Sequence, residues 1–465
     1  MLQMISNFKK KYIGDKEFYK RYILLALPMI LQNAITNLVS FLDNIMVGQL
    51  GTEQMSGVAI VNQLIFVYNL AIFGAASAAS IFGAQYYGNG NHKGHMYSFR
   101  FKLYSTLIVT ILCAVLFLTN GSGLISLYLT DTAGTGATDI TLQYGLEYLA
   151  IMIVGLFPFA VTQSYSTNIK ETGQTLIPMI ASFVAVGTNA VLDYLFIFGI
   201  GPFPEMGVAG AALATVISRY IEALIVMFWA HTHRELNKYL EGAYRGFGIP
   251  KAELKAILIK GSPLMVNEVL WAAGMTTVTQ CYSVRGLEVV AALNIAATIT
   301  NLFNIVYLQL GSCISIVVGQ YLGAGDLKKA KDADNKMIFF SVFCCIIMAI
   351  LMMIVGVYFP AIYNTSSEIK ELATHFISVA ALLMPFCAFC HCSYFTLRSG
   401  GKTMVTFLFD SVFTWVIVVP TAFVLAHYTG LGIITVYFLV QATEIIKVIL
   451  GYYMVRSNVW LVQMV

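Results

Sequence analysis

The chain has 465 residues, of which 58% are hydrophobic and only 11% charged, with a net charge of +4. Its mean hydropathy is +0.77, and a soluble domain carries about 25% charged residues, so a water-facing globule and a sizeable soluble catalytic domain are both excluded. No basic segment interleaved with aromatics is present, which sets nucleic acid aside as a partner.

Six cations, Lys9, Lys10, Lys11, Lys16, Lys20 and Arg21, precede the first apolar run. That run is too long for a cleaved signal and has no small-residue cleavage site, so it is expected to stay as a membrane helix. A spanning helix needs about 20 apolar residues. Runs of that kind are expected at 22–49, 55–87, 99–119, 140–167, 175–199, 206–231, 255–284, 290–322, 336–360, 370–397, 403–426 and 431–455. The expected fold is therefore all-α, a polytopic membrane protein of twelve transmembrane helices. Counting from a cytoplasmic N-terminus, only Arg285 and Lys370 of the 27 Lys and Arg fall outside, and Arg219 and Lys447 fall within helices. The other 23 lie inside, which is the positive-inside bias and puts both termini in the cytoplasm.

The segment from His231 to Lys255 is the long polar connection. It divides the chain into an N-terminal six-helix lobe at 1–235, a cytoplasmic linker at 236–253 and a C-terminal six-helix lobe at 254–465. The lobes repeat: Pro28 and Pro263, Gly51 and Gly286, Gln85 and Gln320, Gly88 and Gly323 are each 235 residues apart. Later the spacing becomes 227, for Pro158 with Pro385 and Gly173 with Gly400. Six helices per half is an even number, so the repeat is parallel, with an axis along the membrane normal.

Ionisable groups within the apolar runs are functional candidates, because they are costly in a bilayer. Asp43 lies toward the outer end of helix 1, beyond Pro28, where the helix is expected to bend as a gate. Asn189 and Asp193 are four apart and share one face of helix 5. Two carboxylates with an amide oxygen suit a small cation; a proton needs only one desolvated carboxylate. The bland alternative is a hydrogen-bonded cluster that only holds helices together. Glu268, one turn from Trp271 on helix 7, offers charge and ring π-density to an organic cation, against an alternative as a packing contact. Asp410 on helix 11 is a candidate for a second site, and His391 is read as a satisfied buried histidine rather than a proton carrier. Arg219 with Glu222 and Glu444 with Lys447, each three apart, are read as pairs neutralised within their helices, with pairing across the lobes in a gating role as the alternative.

Other motifs carry less. The string C-A-F-C-H-C at 387–392 contains C-x-x-C-H, but inside a membrane helix it reads as small packing residues rather than a haem site. The Gly-rich stretches at 83–90 and 318–325 lack the Lys and Ser/Thr of a P-loop and read as close helix packing and tight turns. With no Ser/His/Asp grouping and no H-E-x-x-H, the chain does not read as an enzyme, and neither a cofactor nor a structural metal is expected.

Five stretches taken in order resemble the multidrug and toxic compound extrusion family. They are L-D-N-I-M-V-G-Q-L-G at 42–51, G-A-Q-Y-Y-G-N-G at 83–90 with its counterpart V-G-Q-Y-L-G-A-G at 318–325, N-A-V-L-D-Y-L-F-I-F-G at 189–199, and G-V-A-G-A-A-L-A-T at 207–215. N-E-V-L-W at 267–271 is similar to a bacterial subset. The resemblance implies two six-helix bundles forming a V around a central cavity. It implies export of organic, often cationic and amphipathic, compounds in exchange for Na⁺ or H⁺. It also implies an N-lobe cation site at Asp43, Asn189 and Asp193, joined by Thr215 on helix 6. The implied partners are a small-molecule substrate and membrane lipid, with the chain acting as a monomer in the cell membrane. The alternative within the same wider superfamily is a lipid-linked precursor flippase, whose members often have fourteen helices and a more cationic cavity.

Overall fold

The computed structural model describes residue 6 and residues 9–129, 137–246 and 248–465. Among the described residues the long elements are all helical. They are α1 (Lys16–Gly48), α2 (Thr52–Gly88), α3 (His92–Ser126), α4 (Ala137–Glu171), α5 (Leu176–Ile197), α6 (Gly207–Thr232), α7 (Lys251–Ser283), α8 (Leu287–Gly323), α9 (Leu327–Tyr358), α10 (Ser367–Ser399), α11 (Thr403–Tyr428) and α12 (Ile433–Arg456). The all-α expectation is met. Eleven helical spans among the described residues are long and apolar enough to cross a membrane. The remaining helix, α7, is less apolar because it carries Lys255, Lys260, Asn267 and Glu268. Several helices outrun their expected limits: α3 begins at His92 and α9 at Leu327, well before their apolar stretches.

The chain forms two compact units. One comprises Leu31–Gly83 and His92–Lys255; the other comprises Met1–Ile30, Ala84–Asn91 and Ala256–Val465. The first unit thus contains the C-terminal part of α1, most of α2, and α3 to α6. In it α4 packs against α3 and α6, and α6 against α5. Its main core joins Val58, Tyr68, Phe117, Met152, Leu156 and Val216. The Tyr68 hydroxyl, 1% exposed, donates to the Leu156 carbonyl at 2.8 Å and lies 2.9 Å from Thr110 Oγ1, so the ring is buried without stranding its polar tip.

The described part of the polar connection after α6 is folded against the first unit. A short 3₁₀ turn at Lys238–Leu240 buries Tyr239 and Leu240 against Phe99 and Tyr165. Arg100 on α3 clamps it: Nε donates to Ala243 O at 2.9 Å, and the two guanidinium NH₂ groups donate to Gly248 O and Gly242 O at 2.7 Å. Arg100 is therefore buried, although charge counting treats it as a loop cation.

The second unit contains the N-terminal end of α1, the tip of α2, and α7 to α12. Tyr22 on α1 anchors that end, its hydroxyl donating to Leu310 O at 3.0 Å beside Ser341. The repeated Gly-Gln stretches of α2 and α8 meet here. A Cβ on Gly88 would sit 2.0 Å from the Gln320 carbonyl oxygen, and one on Gly323 would sit 1.9 Å from the Gln85 carbonyl oxygen. The two helix ends cross backbone to backbone, which only glycine permits. Gln85 then ties this crossing to the C-terminal segment, donating to Ser399 O at 2.9 Å and accepting from Met464 N at 2.8 Å. The Gly173–Gly400 pairing needs a correction of one residue. Gly173 has φ of 87° and its conformational counterpart is Gly401 at 69°, since both end a helix in the left-handed region.

Candidate functional site

The first unit gathers Asp43, Asn189, Asp193 and Thr215 in one place. Asp193 is 1% exposed and lies beside Asp43, each carboxyl acting on the other. The geometry leaves Asp43 Oδ1 and both oxygens of Asp193 buried without a hydrogen-bond donor. Asn189, one turn before Asp193 on α5, is buried and donates from Nδ2 to Thr215 Oγ1 on α6 at 3.5 Å. Adjacent carboxyls with buried oxygens left unbonded and no ion-paired cation among the described residues favour a small cation or a proton between them.

Sequence reasoning misses one wall of this site. Tyr148 on α4 is buried, its hydroxyl lying near Thr215 and near both carboxyls, and it donates to Asn62 Oδ1 on α2 at 3.5 Å. Neither residue announces itself, because an uncharged tyrosine and asparagine in an apolar run look like packing. Arg219, also on α6, turns elsewhere: NH1 donates to Gly155 O at 3.3 Å and the guanidinium lies 5.1 Å from the Phe159 ring. The expected intrahelical pair with Glu222 is not formed. Glu222 instead accepts from Ser182 Oγ on α5 at 2.5 Å, because that hydroxyl is nearer than the guanidinium drawn toward α4.

A second buried network lies near the start of α3. Lys102, fully buried, donates to Asn168 Oδ1 and Glu171 Oε1 on α4, both at 2.5 Å, and His95 Nε2 is 3.3 Å from Glu171 Oε2. Gly83 leaves room for this carboxylate, since a Cβ there would sit 2.0 Å from Glu171 Oε2.

In the second unit Asp410 is spoken for. Lys447 on α12 lies 2.8 Å from Asp410 Oδ1 and 3.8 Å from Glu444, so the stronger partner is across helices rather than within α12. Asn267 on α7 donates to Asp410 Oδ2 at 3.1 Å. The same Asn267 side chain accepts from Ser411 N at 3.3 Å and from Ser411 Oγ at 2.7 Å. Helix α11 opens into wide π turns at Leu408–Val412 and Thr414–Val418. Asn267 takes up a backbone N–H inside the first, and Pro420, which has no N–H to give, follows the second. Glu268 is half-buried next to this network, with Arg398 and Asp410 the charges acting on it and Tyr394 close by. Trp271 is half-buried one turn further along α7. His391 donates from Nδ1 to Cys387 O at 3.0 Å with its ring 4.8 Å from Tyr307, as a satisfied histidine does. The cysteines at 387, 390 and 392 are free thiols.

Pro28 is buried within α1, which remains helical across it. The division between the two units falls at Ile30 and Leu31, less than one turn later.

The sequence model of the MatE family matches residues 28–195 and 263–424. The chain is 25% identical over 440 residues to a protein from Thermotoga maritima described as probable multidrug resistance protein NorM, covering 91% of this chain and 90% of that one. It is 23% identical to the probable multidrug resistance protein YoeA of Bacillus subtilis, covering 92% of each. Among solved structures, an outward-facing multidrug resistance MATE family transporter of the MOP superfamily superposes with a TM-score of 0.83 at 22% identity, over 96% of both chains. A MOP superfamily transporter from Pyrococcus furiosus superposes with a TM-score of 0.85 at 21% identity, again over 96% of both.

Proposed function

Because the chain belongs to the MatE family, we propose that it is a secondary active antiporter exporting organic, cationic and amphipathic compounds in exchange for Na⁺ or H⁺. The observation that carries this reading is the adjacent pair Asp43 and Asp193, in which Asp43 Oδ1 and both Asp193 oxygens are buried without a geometrically formed hydrogen bond. The names of its relatives, probable multidrug resistance proteins, support the drug-export half of it.

In this reading the coupling ion sits between the two carboxyls, with Asn189, Thr215 and Tyr148 supplying neutral oxygens. Its binding acts on α1 through Asp43. The weak point of α1 is Pro28, whose ring and missing N–H loosen the helix, and there the helix passes from one unit to the other. Ion and drug oppose each other's binding, and linkage makes that opposition reciprocal. One charge crossing 100 mV yields about 2.3 kcal/mol, a concentration ratio of about fifty. Glu268 and Trp271 serve the organic cation, while Asp410, held by Lys447, sets the local field instead of taking a coupling ion. We place the chain as a monomer in the cell membrane with both termini in the cytoplasm.

The test is dye transport in vesicles holding the purified protein, with Na⁺ and pH gradients imposed separately. Movement driven by one gradient, and lost in Asp43→Asn and Asp193→Asn, is the expected result and identifies the ion. Normal extrusion by both variants overturns the coupling scheme. No movement under either gradient turns the reading to lipid-precursor flipping.

A further inference from the structure

A cavity of ≈ 400 Å³ lies wholly within the second unit, apart from the carboxylate site. It is lined by the N-terminal segment, α9, α10, α12 and the C-terminal segment. Three cations line it, Lys11, Lys331 and Arg456, all exposed, and among the described residues none of the three is in an ion pair. Lys11 lies 4.9 Å from the Tyr12 ring, and Arg456 donates to Tyr452 Oη at 2.9 Å, so two of these cations are held in place by aromatics. The carboxylate at the wall, Asp334, is 1% exposed and accepts from Thr396 Oγ1 at 2.5 Å.

The lining also has an apolar stretch. Along one face of α9 the lining passes from Lys331 through Ile338 to Val342, with Phe389 on α10 beside it. Eleven residues of helix span about 16 Å, and half the hydrocarbon core of a bilayer is about 15 Å. The apolar window within this helix has a mean hydropathy of 3.0, and the last charge before it is Lys336, which puts Val342 at acyl-chain depth and Lys331 at headgroup depth.

We propose that this cavity is a binding site for one anionic phospholipid, taken from the leaflet that faces the Lys- and Arg-rich loops. Three unpaired cations receive the headgroup phosphate, and the groove from Ile338 to Val342 receives the start of an acyl chain. Basic pockets between membrane helices hold acidic headgroups on these terms. The site needs both parts: charge alone would bind any anion, and the apolar face alone any lipid.

The experiment measures lipid retained by the purified full-length protein by native mass spectrometry. The probes are phosphatidylglycerol and phosphatidylcholine with identical acyl chains. The unmodified protein keeps one phosphatidylglycerol in preference to phosphatidylcholine. Each of Lys331→Gln and Arg456→Gln weakens this roughly fivefold, and the triple variant with Lys11→Gln does so on the order of a hundredfold. Val342→Trp, which leaves all the charge in place, also loses it. A control triple in the other unit, Lys93→Gln, Lys238→Gln and Lys251→Gln, keeps it. Equal retention of the two lipids, full retention by the single variants, or an equal loss in the control triple overturns the proposal.

Discussion

At the scale of the residue, sequence and structure agree most where a side chain is chemically out of place. Asp43 and Asp193 are legible because a carboxylate in an apolar run is rare and costly. Tyr148, Asn62 and Asn267 are not, since nothing in their identity separates a site wall from packing. Lys447 is legible as a charge but not as the partner of Asp410, which is 37 residues away. Side chains of the pair are 6% and 17% exposed, so removing one partner strands the other. Lys447→Met is expected to destabilise the protein by about 3–5 kcal/mol, and adding Asp410→Asn to restore much of it. Thermal unfolding in detergent measures both. Gly323→Ala places a methyl on the Gln85 backbone, which cannot retreat as a flexible side chain does. A loss of at least 1–3 kcal/mol is expected, with Gly88→Ala matching it through the reciprocal contact.

At the scale of the element, apolar length locates the helices, and polar extensions hide their true ends. Helix α3 runs back to His92 because His95 and Ser98, before the apolar stretch, find buried acceptors in Glu171 and the Ala79 carbonyl. No hydropathy pattern announces that. Losing three carbonyl contacts, Arg100→Ala is expected to free the segment around Lys238–Leu240. Limited proteolysis should then cut between 237 and 248 many times faster than in the parent protein, while cleavage elsewhere stays unchanged. The wide turns of α11 have a partner in α7. Asn267→Leu removes the acceptor of the Ser411 N–H and the donor to Asp410 together. Faster amide exchange is expected through 408–418, with little change in α9.

At the scale of the whole molecule, the two six-helix halves are visible as a repeat, and the family match at 28–195 and 263–424 follows the same division. The compact units do not follow it. The N-terminal end of α1 and the tip of α2 belong with the C-terminal helices, because Tyr22 bonds to α8 and Gly88 crosses Gln320. Orientation rests on the charge count. With native cysteines replaced, a single cysteine at Lys238 is expected to react with an impermeant thiol reagent only in inverted vesicles, and one at Glu288 only in right-side-out cells. The reverse pattern would overturn the cytoplasmic placement of the termini.

The sequence by itself determined that this is a polytopic helical membrane protein with an internal repeat, and it named the acids worth testing. Those properties are local or additive: hydropathy sums along the chain, and a misplaced charge is visible wherever it stands. Tertiary structure alone decided which charges meet. Asp43 and Asp193 lie 150 residues apart in the chain yet are left side by side with three of their oxygens buried and unbonded, whereas Asp410 is neutralised by Lys447. Pairing in a low-dielectric interior depends on which helix faces which, and that is set by packing across the whole bundle, not by any stretch of sequence.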